Sequence, residues 1–231
     1  MLQLVIKDFR ANWSYVLLGL AVLLTLSMTF IYTALREPFA VDPDVLIYFL
    51  IVIVSSIVFS LLFLMIEQLY NTNILYASVP VSRKQFVQQR YVATYFQLIL
   101  ALGVHFLGLQ IGIYFYGSMD PLVLEALYNP LTWLLILIVL VILNGFSMPF
   151  YFKFGVRKGI LIIGLIQCFS LIAFVYIMMY FSEFWDAFQN MIFNVIALNT
   201  LTTIPICIGL SLLLTWISIQ TSVSIYKSKD L

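Results

Sequence analysis

The sequence predicts an all-α integral membrane protein with six transmembrane helices, on three observations. Hydrophobic residues make up 64% of the 231 and charged residues only 9%, against the roughly 25% charged that a water-soluble domain carries. Six apolar runs each reach about the 20 residues that a helix needs to cross the hydrocarbon core. Basic residues collect on alternate connections between those runs, the asymmetry that orients a multi-pass chain.

The N-terminal stretch Met1 to Trp13 sets Leu2, Leu4, Val5, Ile6 and Phe9 among Lys7, Asp8 and Arg10. It suits an amphipathic helix along the inner leaflet, or a plain extension of the first span. That span covers 14–35. It is too long for a signal-peptide core and lacks a small-residue cleavage site before Arg36-Glu37-Pro38, so it reads as an anchor. A loop at 36–44, broken by Pro38 and Pro43, leads into the second span at 45–66.

The longest connection on the side of the N-terminus runs from Glu67 to Arg90. Leu69, Tyr70, Ile74, Leu75 and Tyr76 form an apolar and aromatic cluster there. Such a patch faces headgroups or a partner protein, or it is a structural turn. Ser82 followed by Gln85 is a capping box that starts a helix just after Pro80 and continues it into the third span, 91–117. The loop 117–128 contains Pro121, and the fourth span follows at 129–151. A tight basic turn at 152–158, containing Lys153, Arg157 and Lys158, joins it to the fifth span at 159–181. From Ser182 to Thr202 the chain mixes Trp185, Phe188, Met191 and Phe193 with Glu183, Asp186 and Asn190. Short helices dipping into the outer leaflet fit that mixture, as does an interfacial loop with an aromatic belt. The sixth span covers 203–222. The whole reads as one transmembrane domain, 1–231.

With the N-terminus inside, ten of the eleven basic residues (Lys7, Arg10, Arg83, Lys84, Arg90, Lys153, Arg157, Lys158, Lys227 and Lys229) are cytoplasmic and only Arg36 is external. The even number of spans then puts the C-terminus inside as well. The net charge of +1 says almost nothing about partners, and no basic cluster interleaved with aromatics points to nucleic acid, so no nucleic-acid partner is expected.

Catalytic material is scarce. The single histidine, His105, leaves no set for a Ser-His-Asp or His-ligated metal site, and no G-x-x-x-x-G-K-[ST] string occurs. Neither a catalytic residue, a metal nor a bound cofactor is therefore expected. Cys168 and Cys207 both lie within apolar runs, as inert packed thiols. Ala101, His105, Gly108 and Gly112 share one helical face, where small residues let helices approach and a histidine bonds across them. A proton relay is the other reading, but no Asp, Glu, Lys or Arg occupies the middle of a span. Mild polar stripes occur in the second span (Ser55, Ser56, Ser60), the fourth (Asn144, Ser147) and the sixth (Ser211, Thr215, Ser218, Ser222). Helix packing explains such stripes, and so does a weakly polar translocation path suited to amphipathic cargo.

The string Leu75-Tyr76-Ala77-Ser78-Val79-Pro80-Val81-Ser82-Arg83-Lys84-Gln85-Phe86-Val87 resembles a run between the second and third spans of small bacterial ABC exporter permeases of the type-2 family. Length, span count and amphipathic start match as well. Within the family the chain looks most like membrane subunits of staphylococcal phenol-soluble modulin exporters and their bacitracin- or lantibiotic-type relatives. The resemblance implies a permease in the bacterial cell membrane without a nucleotide site, paired with a second permease copy, identical or sister. It also implies a separate cytoplasmic ATPase that binds ATP and works a coupling helix around Leu69 to Ser78, with Arg83 and Lys84 alongside. The segment from Ser182 to Thr202 would form external gate helices, and the cargo would be an amphipathic, membrane-active peptide moved outward. Two other functions compete: an immunity or regulatory subunit that binds peptides without pumping, and an ion-coupled carrier, which the missing midplane charges disfavour.

Overall fold

The computed structural model describes residues 13–36, 41–69, 82–116, 124, 127–180 and 200–228. Helix is the only regular structure among them. The elements are α1 (Trp13–Arg36), α2 (Val41–Leu69), α3 (Arg83–Tyr116), α4 (Pro130–Tyr180) and α5 (Thr200–Lys227). Among the described residues four stretches are long and apolar enough to cross a membrane: Trp13–Phe30, Arg83–Tyr116, Pro130–Gly155 and Ile204–Lys227. Helix α2 adds a shorter apolar stretch, Tyr48–Leu62. The N-terminal residues 1–12, the cluster from Tyr70 to Tyr76 and most of the 182–202 connection lie outside the described residues.

Local chemistry explains the helix boundaries. At the start of α3 the Ser82 hydroxyl accepts from the Gln85 backbone N–H (3.3 Å), and the Gln85 side chain accepts from the Ser82 N–H (3.2 Å). Two otherwise orphaned donors are thereby satisfied, and the capping box read from the sequence is present. Asn129 caps α4 by accepting from the Leu131 N–H at 3.0 Å, and Pro130 follows as the first helical residue, where its missing N–H costs nothing. Helix α2 begins at Val41, so Pro43 falls within its first turn rather than in a loop reaching residue 44. A proline ring is tolerated there because the first-turn N–H groups have no intrahelical acceptor.

The turn expected over 152–158 narrows to one residue. Gly155 alone departs from helical geometry (φ 77°, ψ 176°) and divides α4 into two limbs, Pro130–Gly155 and 156–180. Lys153 and Phe154 remain helical. A glycine in a region closed to other residues does by itself what a longer loop would do.

The chain divides into two compact units, Met1–Asn144 and Gly145–Leu231. In the first, α1 packs along α3, and α2 packs against both. Its core gathers Tyr48, Val52, Leu98, Leu102, Leu109 and Leu140, with Val16, Leu23, Phe59, Ala93 and Ala101 in a second cluster. The approach of α1 to α3 is close at Gly108, where an added Cβ would lie 2.7 Å from the Ser27 Cβ and 3.1 Å from the Leu24 carbonyl oxygen. In the second unit a Cβ on Gly159 would lie 2.9 Å from the Tyr151 Cα, so the two limbs of α4 meet closely beside their turn. The rings of Phe152 and Tyr226, 5.7 Å apart, bring the end of α5 to the same place.

Candidate functional site

Burial of polar groups in an apolar bundle singles out the candidate site, because each such group must find a partner or incur a desolvation cost. On α3, Arg90, Thr94, Gln97 and His105 are all essentially inaccessible, and they share one face with Ala101, Gly108 and Gly112. Ser27 on α1 and Ser55 on α2 meet that face at His105, and Ser56 and Ser60 of α2 are buried in the same unit. The result is a polar seam inside the first unit.

His105 joins three helices. Its Nδ1 lies 2.6 Å from Ser27 Oγ on α1, and its Nε2 lies 2.8 Å from Ser55 Oγ on α2. The Tyr48 hydroxyl donates to the His105 backbone carbonyl at 3.2 Å. A neutral imidazole offers one donor and one acceptor, and each serine has a single proton to give. The Ser55 hydroxyl is 2.5 Å from the Ile51 carbonyl of its own helix, whereas Ser27 is a longer 3.2 Å from that of Leu23. These distances assign the Ser55 proton to Ile51, so Ser55 accepts from Nε2–H and Ser27 donates to Nδ1. Every polar atom of the triad is then satisfied.

A second crossing lies further along α2. Ser60 donates to the Asn144 side-chain oxygen at 3.3 Å, and the Asn144 amide donates to the Leu140 carbonyl at 3.0 Å. Gln97 Oε1 and Ser56 Oγ are buried with no hydrogen-bond partner among the described residues. Arg90 places its guanidinium 5.1 Å from the Phe86 ring centroid, and its carbonyl accepts from Thr94 at 2.9 Å.

The second unit holds Ser147, Ser211 and Ser218, all buried, and Thr215, half-buried. Ser211 turns back to its own helix, donating to the Ile208 carbonyl at 2.8 Å. Ser218 instead crosses from α5 to α4 and donates to the backbone carbonyl of Gly145. In a regular helix that carbonyl would accept from the residue four positions on, which here is Pro149, with no N–H to give. Ser218 therefore supplies the donor that proline removes, as hydroxyl groups of neighbouring helices do in membranes.

Comparison with known proteins places this helical, seam-bearing chain. Residues 3–227 match the family described as ABC-2 family transporter protein. The chain belongs to that family. No curated protein and no solved structure matched it. An ABC-2 permease is the membrane subunit of its transporter, a multi-pass protein and not the catalytic ATPase, and the family implies a partner ABC ATPase.

For this ABC-2 permease, Arg83 and Lys84 sit exposed in the first turn of α3, beside the capping box. Tyr70, Ile74, Leu75, Tyr76 and the Leu69 side chain lie outside the described residues. Sequence reading missed Ser27, Tyr48, Gln89, Arg90, Thr94 and Gln97 as buried polar groups. A signal for three of them was available: extending the Ala101-His105-Gly108-Gly112 stripe backwards at helical spacing reaches Gln97, Thr94 and Arg90.

Proposed function

We propose that this permease is the membrane-spanning half of an ATP-driven exporter of amphipathic, membrane-active peptides, of the phenol-soluble modulin or antimicrobial-peptide kind. Family membership over nearly the whole chain carries the transporter assignment. The cargo class is argued from the seam. Among the described residues the buried polar set holds serines, Thr94, two glutamines, Asn144 and His105, with Arg90 as its one cation and no carboxylate. Weakly polar groups in an apolar bundle match a cargo with one polar and one apolar face better than an ion, which needs compensating charge.

In this reading the chain crosses a bacterial cell membrane six times, as α1, α2, α3, the two limbs of α4, and α5. The excess of basic residues then puts both termini in the cytoplasm. Two permease copies, identical or sister chains, pair in the membrane. ATP binds a separate ATPase chain, which engages the coupling segment from Leu69 to Tyr76 with Arg83 and Lys84 beside it. The residues from Ser182 to Thr202 form the outer gate.

The experiment replaces Tyr70, Leu75 and Tyr76 together with Asp. The expected result is loss of co-purifying ATPase and of peptide export while the permease still inserts and folds. Unchanged ATPase capture and export sinks the coupling assignment. Protection of cells against a peptide that persists with a hydrolysis-dead ATPase favours the binding-only immunity reading instead.

A further inference from the structure

The second unit gathers its described charge at one end. Its only charged residues among those described are Lys153, Arg157, Lys158 and Lys227, with no carboxylate among them. Lys153 and Lys158 flank the Gly155 turn, and both are exposed. The Phe152–Tyr226 ring contact draws the last turn of α5, with Lys227 exposed, to the same end. The fold therefore gathers cations from two helices that are far apart in sequence.

Helix stability accounts for only part of this. Lys153 and Lys227 close the first limb of α4 and α5, where a cation complements the partial negative charge of a helix C-terminus. Arg157 and Lys158 open the second limb, where the same partial charge is positive and a cation is disfavoured. An anion held beside the turn would offset that cost.

The adjoining surface indicates which anion. Phe146, Phe150 and Phe154 form a ladder along one face of α4, with ring centroids 5.7 and 6.4 Å apart, the second pair stacked at 12°. Phe146 is 63% exposed and Phe154 41%. Lys153 Nζ stands 5.3 Å from the Phe154 ring centroid, so the ladder ends on a cation. Eight residues of helix carry the ladder about 12 Å from the turn toward the middle of the span. A water-soluble protein docking on the turn cannot reach Phe146 at that depth, whereas an acyl chain lies there naturally.

We infer that the Gly155 turn and the Phe146–Phe150–Phe154 face form a binding site for an anionic phospholipid. Its phosphate meets Lys153 and Lys158, and an acyl chain lies along the phenyl ladder. Basic pockets beside membrane helices are the general setting for such recognition.

Native mass spectrometry of the purified full chain, with phosphatidylglycerol or phosphatidylcholine added after delipidation, tests the site. The Lys153→Gln/Lys158→Gln variant is expected to bind phosphatidylglycerol about 10- to 30-fold more weakly, phosphatidylcholine binding being unchanged. Lys153→Arg/Lys158→Arg is expected to keep binding, and Phe146→Ala/Phe150→Ala to weaken it with the charges intact. An unchanged thermal melt certifies that each variant is folded; one that fails to fold is replaced by the corresponding single substitution. Equal retention of phosphatidylglycerol by the Gln variant and the parent overturns the proposal. So does an equal loss for both lipids, or a Gln variant that keeps the lipid and instead loses its ATPase, which would make the patch a protein contact.

Discussion

His105 holds α1, α2 and α3 together through two short side-chain hydrogen bonds, to Ser27 and Ser55. Interhelical hydrogen bonds of membrane proteins contribute about 0.6 kcal/mol on average and up to roughly 2 kcal/mol. A double-mutant cycle between Ser27→Ala and His105→Ala is therefore expected to give a coupling energy of about 0.6–2 kcal/mol, read from unfolding in detergent. A value near zero would mean that the pair does not link the helices. Gly108 permits the same approach of α1 to α3, and its space is occupied by Ser27 and Leu24. Gly108→Val should destabilise by about 1–3 kcal/mol, as overpacked sites do. Gly103→Ala, with nothing within 4 Å of its added Cβ, should be neutral or stabilising by about 0.5–1 kcal/mol. Thermal denaturation of the two variants side by side separates contact from simple loss of glycine.

Helix α4 is shaped by two unlike interruptions, Pro149 and Gly155. Pro149 withholds a donor from Gly145, and Ser218 of α5 replaces it. In the parent, Ser218→Ala should cost about 1 kcal/mol, the net worth of one such hydrogen bond. In a Pro149→Ala background, where the backbone donor is restored, the same change should cost clearly less. Equal losses in both backgrounds would refute the link. Gly155 acts through its backbone: φ 77° with ψ 176° is a region that side chains exclude, although space around the residue is open. Gly155→Ala should destabilise by about 1–3 kcal/mol. Gly164→Ala, equally uncrowded and on a regular helix, should not, and their melting temperatures report the difference.

As an assembly, this chain belongs to a family that implies a partner ABC ATPase. Arg83 and Lys84 stand exposed in the first turn of α3, without an acidic residue there. Cations at a helix N-terminus are opposed by the macrodipole. Arg83→Glu/Lys84→Glu is accordingly expected to leave the permease as stable as before, or slightly more so, while reducing ATPase capture on an affinity column. If capture is undiminished, the basic turn takes no part in coupling.

Composition and hydropathy were enough to establish a helical membrane chain, because a bilayer demands long apolar helices and the charge deficit leaves no water-exposed alternative. The Ser82–Gln85 cap was legible for a related reason: both partners lie within one turn of each other. The partners of His105 were not, since Ser27 is 78 positions away and Ser55 is 50, and a stripe on one helix does not name the residue opposite it. Likewise, nothing in the spacing of Ser218 announced that it would answer Pro149, or that Lys227 would end beside the Gly155 turn. Patterns within a helix follow from its 3.6-residue repeat, but pairings across helices depend on how the helices are rotated and staggered when they pack.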